Sequence, residues 1–71
     1  MQNRLAELRG ERGWSQQRTA DILGVSRQTV ISLERGRFDP SLPLAFNLAT
    51  LFECRIEDIF TPEPWTPVDQ A

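Results

Sequence analysis

Seventy-one residues, 39% of them hydrophobic, suffice for one small domain whose core supplies only a few kcal/mol unless something staples it. A lone cysteine, Cys54, and the absence of histidine exclude an intrachain disulfide, a Cys/His zinc site and Cys/His or Ser/His catalytic pairs, so no cofactor, no metal and no enzymatic activity are expected. The formal charge is −2 and the pI near 4.9, and with neither an apolar leader nor an apolar run of about 18 residues the chain reads as cytoplasmic and membrane-free.

Apolar residues recur at three- and four-residue spacings between capping signals, which predicts five short helices and no strand. Segment one, NRLAELRGERG, opens at Asn3, sets Leu5 and Leu8 on one face and closes at Gly13; Trp14 then turns into the core. Segment two takes Ser15 as its cap and runs QQRTADIL to Gly24. Segment three takes Ser26 as its cap and runs RQTVISLER to Gly36. Segment four, LPLAFNLATLF, repeats Leu44, Leu48, Leu51 and Phe52 along one face and tolerates Pro43 in its first turn. Segment five is the short IEDIF. The remaining TPEPWTPVDQA holds three prolines and is expected to run extended, with Trp65 tucked against the body or a partner subunit. Cys54 reads as a small reduced hydrophobe.

Charge is unevenly spread. Residues 1–40 carry seven Arg against five acids, a balance of +2, while residues 41–71 carry only Arg55 against five acids, a balance of −4. Exposed charges farther apart than a Debye length of about 8–10 Å are largely screened, so a basic face on an acidic body can still bind a polyanion. All the cations are Arg, the better bidentate partner for phosphate and guanine.

Segments two and three are separated by only GVS, the short glycine-containing turn of a helix-turn-helix. With Gln16 as the first position of that unit, Ala20 falls where close helix crossing demands a small side chain, and Gly24 where the turn needs a positive φ. Val25, Val30 and Leu33 are predicted to face inward. Arg27, Gln28, Ile31 and Ser32 then point outward near the start of segment three, and they are base-reading types: Arg for guanine, Gln for adenine, Ile for the thymine methyl. Ser26 is a cap whose hydroxyl could also meet a phosphate. Arg4, Arg12 and Arg18 read as ordinary solvated charges.

On the stretches LRGERGWSQ, LGVSRQTVISLERGRFDPSLPLAF and IEDIF, covering about residues 3–60, the chain resembles the small Cro/C1-type helix-turn-helix regulators, the XRE family. The resemblance implies an all-α, compact, five-helix lambda-repressor-like domain over 1–60, with its helix-turn-helix unit about 15–36 and a proline-rich acidic tail over 61–71. It implies that segment three enters the major groove, and usually that a homodimer binds a double-stranded DNA operator with dyad symmetry. It also assigns Gln16, Arg35 and Arg37 to phosphates, Arg9 with Glu34 to an internal ion pair, and segment five together with the residues around Phe46 to a dimer contact. Phe46, Ile56, Ile59 and Trp65 are the candidates for that contact, with Ile59 the most suited of them to the interior. Glu53 stands where many relatives have Gly and Arg55 where many have a Ser or Thr cap, so segment five is expected to begin less well capped. The functional expectation is a sequence-specific transcriptional regulator, most simply a repressor. The alternative is an antitoxin-type interaction protein that regulates its own operon and engages a protein partner through the tail.

Overall fold

The computed structural model describes residues 1–69 and contains five helices: α1 (Leu5–Glu11), α2 (Gln16–Leu23), α3 (Arg27–Glu34), α4 (Leu42–Leu51) and α5 (Ile56–Ile59). Three serines start the three longest. The hydroxyl oxygens of Ser15, Ser26 and Ser41 accept the backbone N–H of Arg18, Thr29 and Leu44 at 2.9, 3.1 and 3.2 Å, each satisfying a donor that the first helical turn leaves free. Pro43 sits in the first turn of α4, where its missing N–H costs nothing.

The expectation of no strand is corrected. A two-residue strand β1 (Gln2–Asn3) pairs antiparallel with β2 (Phe60–Thr61), Gln2 opposite Thr61 and Asn3 opposite Phe60, and the Arg4 N–H continues the ladder to the Ile59 carbonyl at 2.8 Å. Two residues are too few for alternation to register in a sequence. The pairing closes the domain by tying the segment before α1 to the segment after α5. Asn3 also differs from its expected place as first cap: Arg4 holds the N-cap position without a side-chain cap bond, and Asn3 reaches past it to accept the Leu5 N–H at 3.1 Å.

Leu5, Leu33, Leu48, Phe52, Ile59 and Phe60 form the buried centre, so every helix except α2 contributes directly to it. Helix α2 packs on α3 through Ala20 and Val30, both fully buried. Val30 and Leu33 are buried as expected, and Val25 is half-buried. Trp14 lies against this centre, tilted on Phe52 with ring centroids 5.8 Å apart. The reading of Arg12 as a free surface charge is corrected: its guanidinium lies 5.3 Å from the Trp14 ring centre and 5.2 Å from that of Phe52. Arg4 is likewise engaged, donating to Glu7 at 3.0 Å and to the Asp58 carbonyl at 3.3 Å.

The junction into α5 shows both sequence departures at work. Glu53 adopts φ 54°, a left-handed conformation that puts Cβ against the following carbonyl, and terminates α4 with Glu53 N–H on the Thr50 carbonyl and Cys54 N–H on the Ala49 carbonyl. Arg55 has no acceptor to cap α5, but the Asp58 carboxylate compensates by accepting the Arg55 N–H at 2.9 Å, which holds the Asp58 carboxyl below its ordinary value. Burial, reinforced by Asp58, pushes the Cys54 thiol up, so it stays protonated at neutral pH. Glu53→Gly is expected to stabilise the fold by about 0.5 kcal/mol, because a left-handed strain of about 1–2 kcal/mol outweighs glycine's chain entropy and the exposed Arg12–Glu53 pair. Thermal unfolding checks this: the midpoint should rise by about 2–4 °C, and a fall would show that the Arg12 pair outweighs the strain.

The tail leaves β2 without regular structure and turns at 68–69; its last two residues lie outside the described ones. Trp65 is 80% exposed, so the expected docking against its own body is not found. No helix among the described residues is long and apolar enough to cross a membrane.

Candidate nucleic-acid interface

Helices α2 and α3 are joined through Gly24 and Val25, with Ser26 already capping α3. Gly24 adopts φ 73°, and the turn is closed by the Val25 N–H on the Ala20 carbonyl at 3.1 Å. A side chain at that φ would be strained, which is why glycine stands there. At its far end, α3 closes on Gly36, where the Gly36 and Arg37 N–H groups each donate at 3.0 Å to the Leu33 and Ser32 carbonyls. Capped at both ends and buried through Val30 and Leu33, α3 is a fixed rod whose other face is free.

Arg27 and Gln28 are exposed on that free face, and Ile31 and Ser32 are half-exposed. Gln28 donates to the Ser32 hydroxyl one turn on, at 3.4 Å. Ser26 spends its hydroxyl on the Thr29 N–H and on the Thr29 hydroxyl, 2.9 Å away. Arg35 and Arg37 lie exposed in the turn after α3.

Behind α3 stands a polar brace. The Glu34 carboxylate accepts from Arg9 Nε, from Arg9 Nη2 at 3.1 Å and from Gln16 Nε2 at 3.1 Å, and Arg9 Nη1 donates to the Trp14 carbonyl, also at 3.1 Å. One carboxylate thus joins the C-terminal end of α3 to α1 and to the start of α2. Only 8% of the Glu34 side chain is exposed, against 21% of Arg9. The Glu34 hydrogen bond raises the Arg9 guanidinium above its ordinary value against the opposing effect of burial. Gln16 therefore sits at the start of α2 with its amide turned toward α3.

The partners of the arginines divide them into two sets. Arg4, Arg9, Arg12 and Arg55 each pair with a carboxylate: Glu7, Glu34, Glu53 and Asp58. Among the described residues, Arg18, Arg27, Arg35 and Arg37 have no such partner. All four lie on α2, on α3 or in the turn that follows. Spacing alone places the residues of α3; it does not reveal which arginines have been neutralised by distant parts of the chain.

The four dimer candidates do not form one surface. Phe46 is 56% exposed on α4, Ile56 is half-buried against the core and Trp65 projects from the tail, but Ile59 is only 1% exposed and is removed from the set. Its side chain lies in the core cluster with Leu5, Leu33, Leu48, Phe52 and Phe60. Leu42, 65% exposed and one turn before Phe46, joins the apolar patch on α4 that sequence reasoning missed, although the spacing of four residues signals it.

Comparison with known proteins agrees with this geometry. The helix-turn-helix family HTH_3 matches residues 5–59. The chain is 49% identical over 63 residues to a Methanocaldococcus jannaschii protein named as an uncharacterized HTH-type transcriptional regulator, MJ0272, covering 89% of this chain and 96% of that protein. A similarly named protein of Archaeoglobus fulgidus is 43% identical over 84% of this chain and 86% of its own length. The Bacillus subtilis protein named as the uncharacterized HTH-type transcriptional regulator YgzD is 42% identical over 84% of this chain and 91% of its own length. With five helices, a capped two-helix unit and, among the described residues, four arginines of α2, α3 and the following turn that have no carboxylate partner, the chain belongs to the Cro/C1-type helix-turn-helix family of DNA-binding transcriptional regulators.

Proposed function

We propose that the protein is a sequence-specific repressor that binds a dyad-symmetric operator as a homodimer and lays α3 in the major groove. The observation that carries this reading is the segregation of the arginines: among the described residues, the four without a carboxylate partner are those of α2, α3 and the following turn. Arg27, Gln28, Ile31 and Ser32 read bases, while Arg35 and Arg37 hold phosphates. Gln16 and Ser26 are phosphate ligands of a second kind, whose present bonds to Glu34 and Thr29 orient them. The domain over 1–60 does the binding, with Thr61 still paired to Gln2 at the start of the tail.

A single helix reads only a few base pairs, so two copies are required for a specific site. The exposed Leu42 and Phe46 supply an apolar patch for a two-fold contact that would set the recognition helices about 34 Å, or one DNA turn, apart. Electrostatics supplies the test. With about four to eight phosphates neutralised per dimer, log affinity should fall against log salt with a slope of about −4 to −7 despite the acidic pI. Fluorescence anisotropy on a duplex titrated with salt measures this directly, and an affinity flat between low and physiological salt would overturn the reading.

A second reading rests on the tail. Trp65 and Val68 are exposed beside Glu63 and Asp69, a composition suited to engaging a protein partner, as an autoregulating antitoxin would. Truncation after Thr61 separates the two: an unchanged operator affinity with a lost protein complex would support it.

A further inference from the structure

We propose that Asn3 is a positioning residue for base reading, whose side-chain amide pins the C-terminal end of α3 to the strand pair and so sets the angle at which α3 meets DNA. The proposal rests on the base-reading role of α3 given above. Its basis is a set of three bonds made by one side chain. Asn3 Nδ2 donates to the Leu33 carbonyl at 2.8 Å and to the Met1 carbonyl at 3.3 Å, while Asn3 Oδ1 accepts the Leu5 N–H at 3.1 Å.

The Leu33 carbonyl is among the last four of α3, which have no partner within the helix. It already accepts the Gly36 N–H at 3.0 Å, a bond inside the turn that shapes the helix end without saying where the end sits in the molecule. The bond from Asn3 provides that reference. Asn3 is itself fixed through its pairing with Phe60, whose side chain is in the core. Thus β2, β1 and the end of α3 are linked in one chain of contacts.

The Leu33 side chain is buried in the core, but packing from the tail adds little on this side. A cleft of about 630 Å³ lies there, bordered by Asn3, Glu34, Arg35, Gly36, Thr61 and Pro62, so side chains from the tail do not press α3 into place. The backbones also approach at Gly36, whose carbonyl accepts from the Met1 amino group at 3.4 Å and where an added Cβ would come within 3.0 Å of the Met1 carbonyl oxygen. The brace from Glu34 to Arg9 and Gln16 restrains α3 toward α1 and α2, and Asn3 restrains it toward the strands. Two polar restraints from different directions add to the burial of Val30 and Leu33 in setting the orientation of α3. Arg35 and Arg37 lie just beyond the pinned carbonyl, so the same bond also places the phosphate anchors.

Two substitutions isolate the pin from the helix cap. Asn3→Asp keeps an acceptor for the Leu5 N–H but sets a carboxylate against the Leu33 carbonyl. Asn3→Ser keeps a short acceptor for the same N–H and cannot span to Leu33. Each variant is compared with the unmodified protein by fluorescence anisotropy on its selected duplex and on a scrambled duplex, at a temperature where circular dichroism shows every protein folded. The expected result is a loss of about tenfold on the selected duplex, with affinity for the scrambled one unchanged within about twofold, because phosphate contacts tolerate displacement that base contacts do not. A purely structural asparagine would lower the unfolding midpoint and leave the ratio of the two affinities as it was; that outcome overturns the proposal. An unmodified protein that binds both duplexes alike would overturn base reading itself and this proposal with it, whereas a preserved ratio in the variants of a discriminating protein overturns only the role of Asn3.

Discussion

Replacing Arg9 by Ala is expected to cost about 2–3 kcal/mol of folding stability, somewhat below the 3–5 kcal/mol typical of breaking a fully buried pair, because a fifth of the Arg9 side chain remains in contact with water. The loss falls mostly on Glu34. With Arg9 gone, the Glu34 carboxylate, whose side chain is 8% exposed while Arg9 covers it, keeps only the bond from Gln16, so a partly buried charge is left without a counterion. A 71-residue domain at about 0.05–0.15 kcal/mol per residue has only about 4–10 kcal/mol in total, so the substitution removes a large fraction of it. Glu34→Gln should be milder, since it removes the charge and retains one acceptor. Urea denaturation of Arg9→Ala, Glu34→Ala and the double variant measures the coupling directly. We expect the double variant to be more stable than the sum of the single losses by at least about 1 kcal/mol; additivity would show that the pair contributes packing and no electrostatic linkage. An apolar substitute of the same shape could stabilise as well, so we propose that the pair serves to orient α3.

The second large effect separates the residues that read bases from those that hold the backbone. Arg27→Ala or Gln28→Ala is expected to cost about 1–3 kcal/mol on the preferred site and to relax the preference at one base pair in each half-site. Both side chains are exposed on the first turn of α3, so neither substitution should shift the unfolding midpoint. Arg37→Ala should instead weaken all duplexes alike and reduce the salt slope, since a phosphate contact carries no sequence information. Binding-site selection with each variant checks the division, and an unaltered motif for Arg27→Ala would show that a different face of α3 meets the bases.

Much of the architecture was legible because its determinants are local. Ser15, Ser26 and Ser41 announce three helix starts, Gly24 and Gly36 two ends, and the spacing of Val30 and Leu33 gives the buried face of α3. Each acts within one or two turns of its own position. The unread features depend on residues far apart in the chain. Asn3 looks like a helix cap, and its bond to Leu33 exists only because the strand pair brings residues 2–3 beside the end of α3. Arg12 looks like a surface cation until the turn at Gly13 brings Trp14 back and Phe52 arrives from α4. Ile59, the dimer candidate most suited to the interior, is indeed buried while Phe46 stays exposed, and it is the tertiary arrangement that separates them. Glu53 was visible as a departure from the family pattern, and its φ of 54° gives that departure a physical cost. The identity of the site residues on α3 came from the helix-turn-helix pattern; which arginines are left unpaired to serve it came from the fold.

The central claim, that the unpaired arginines and the free face of α3 make this small acidic protein a sequence-reading dimer, is tested most directly by selecting bound duplexes from a random library at physiological salt. The account predicts enrichment of a single motif made of two inverted half-sites with centres about 10 base pairs apart. Recovery of unenriched sequence, or of a motif lacking two-fold symmetry, would contradict it.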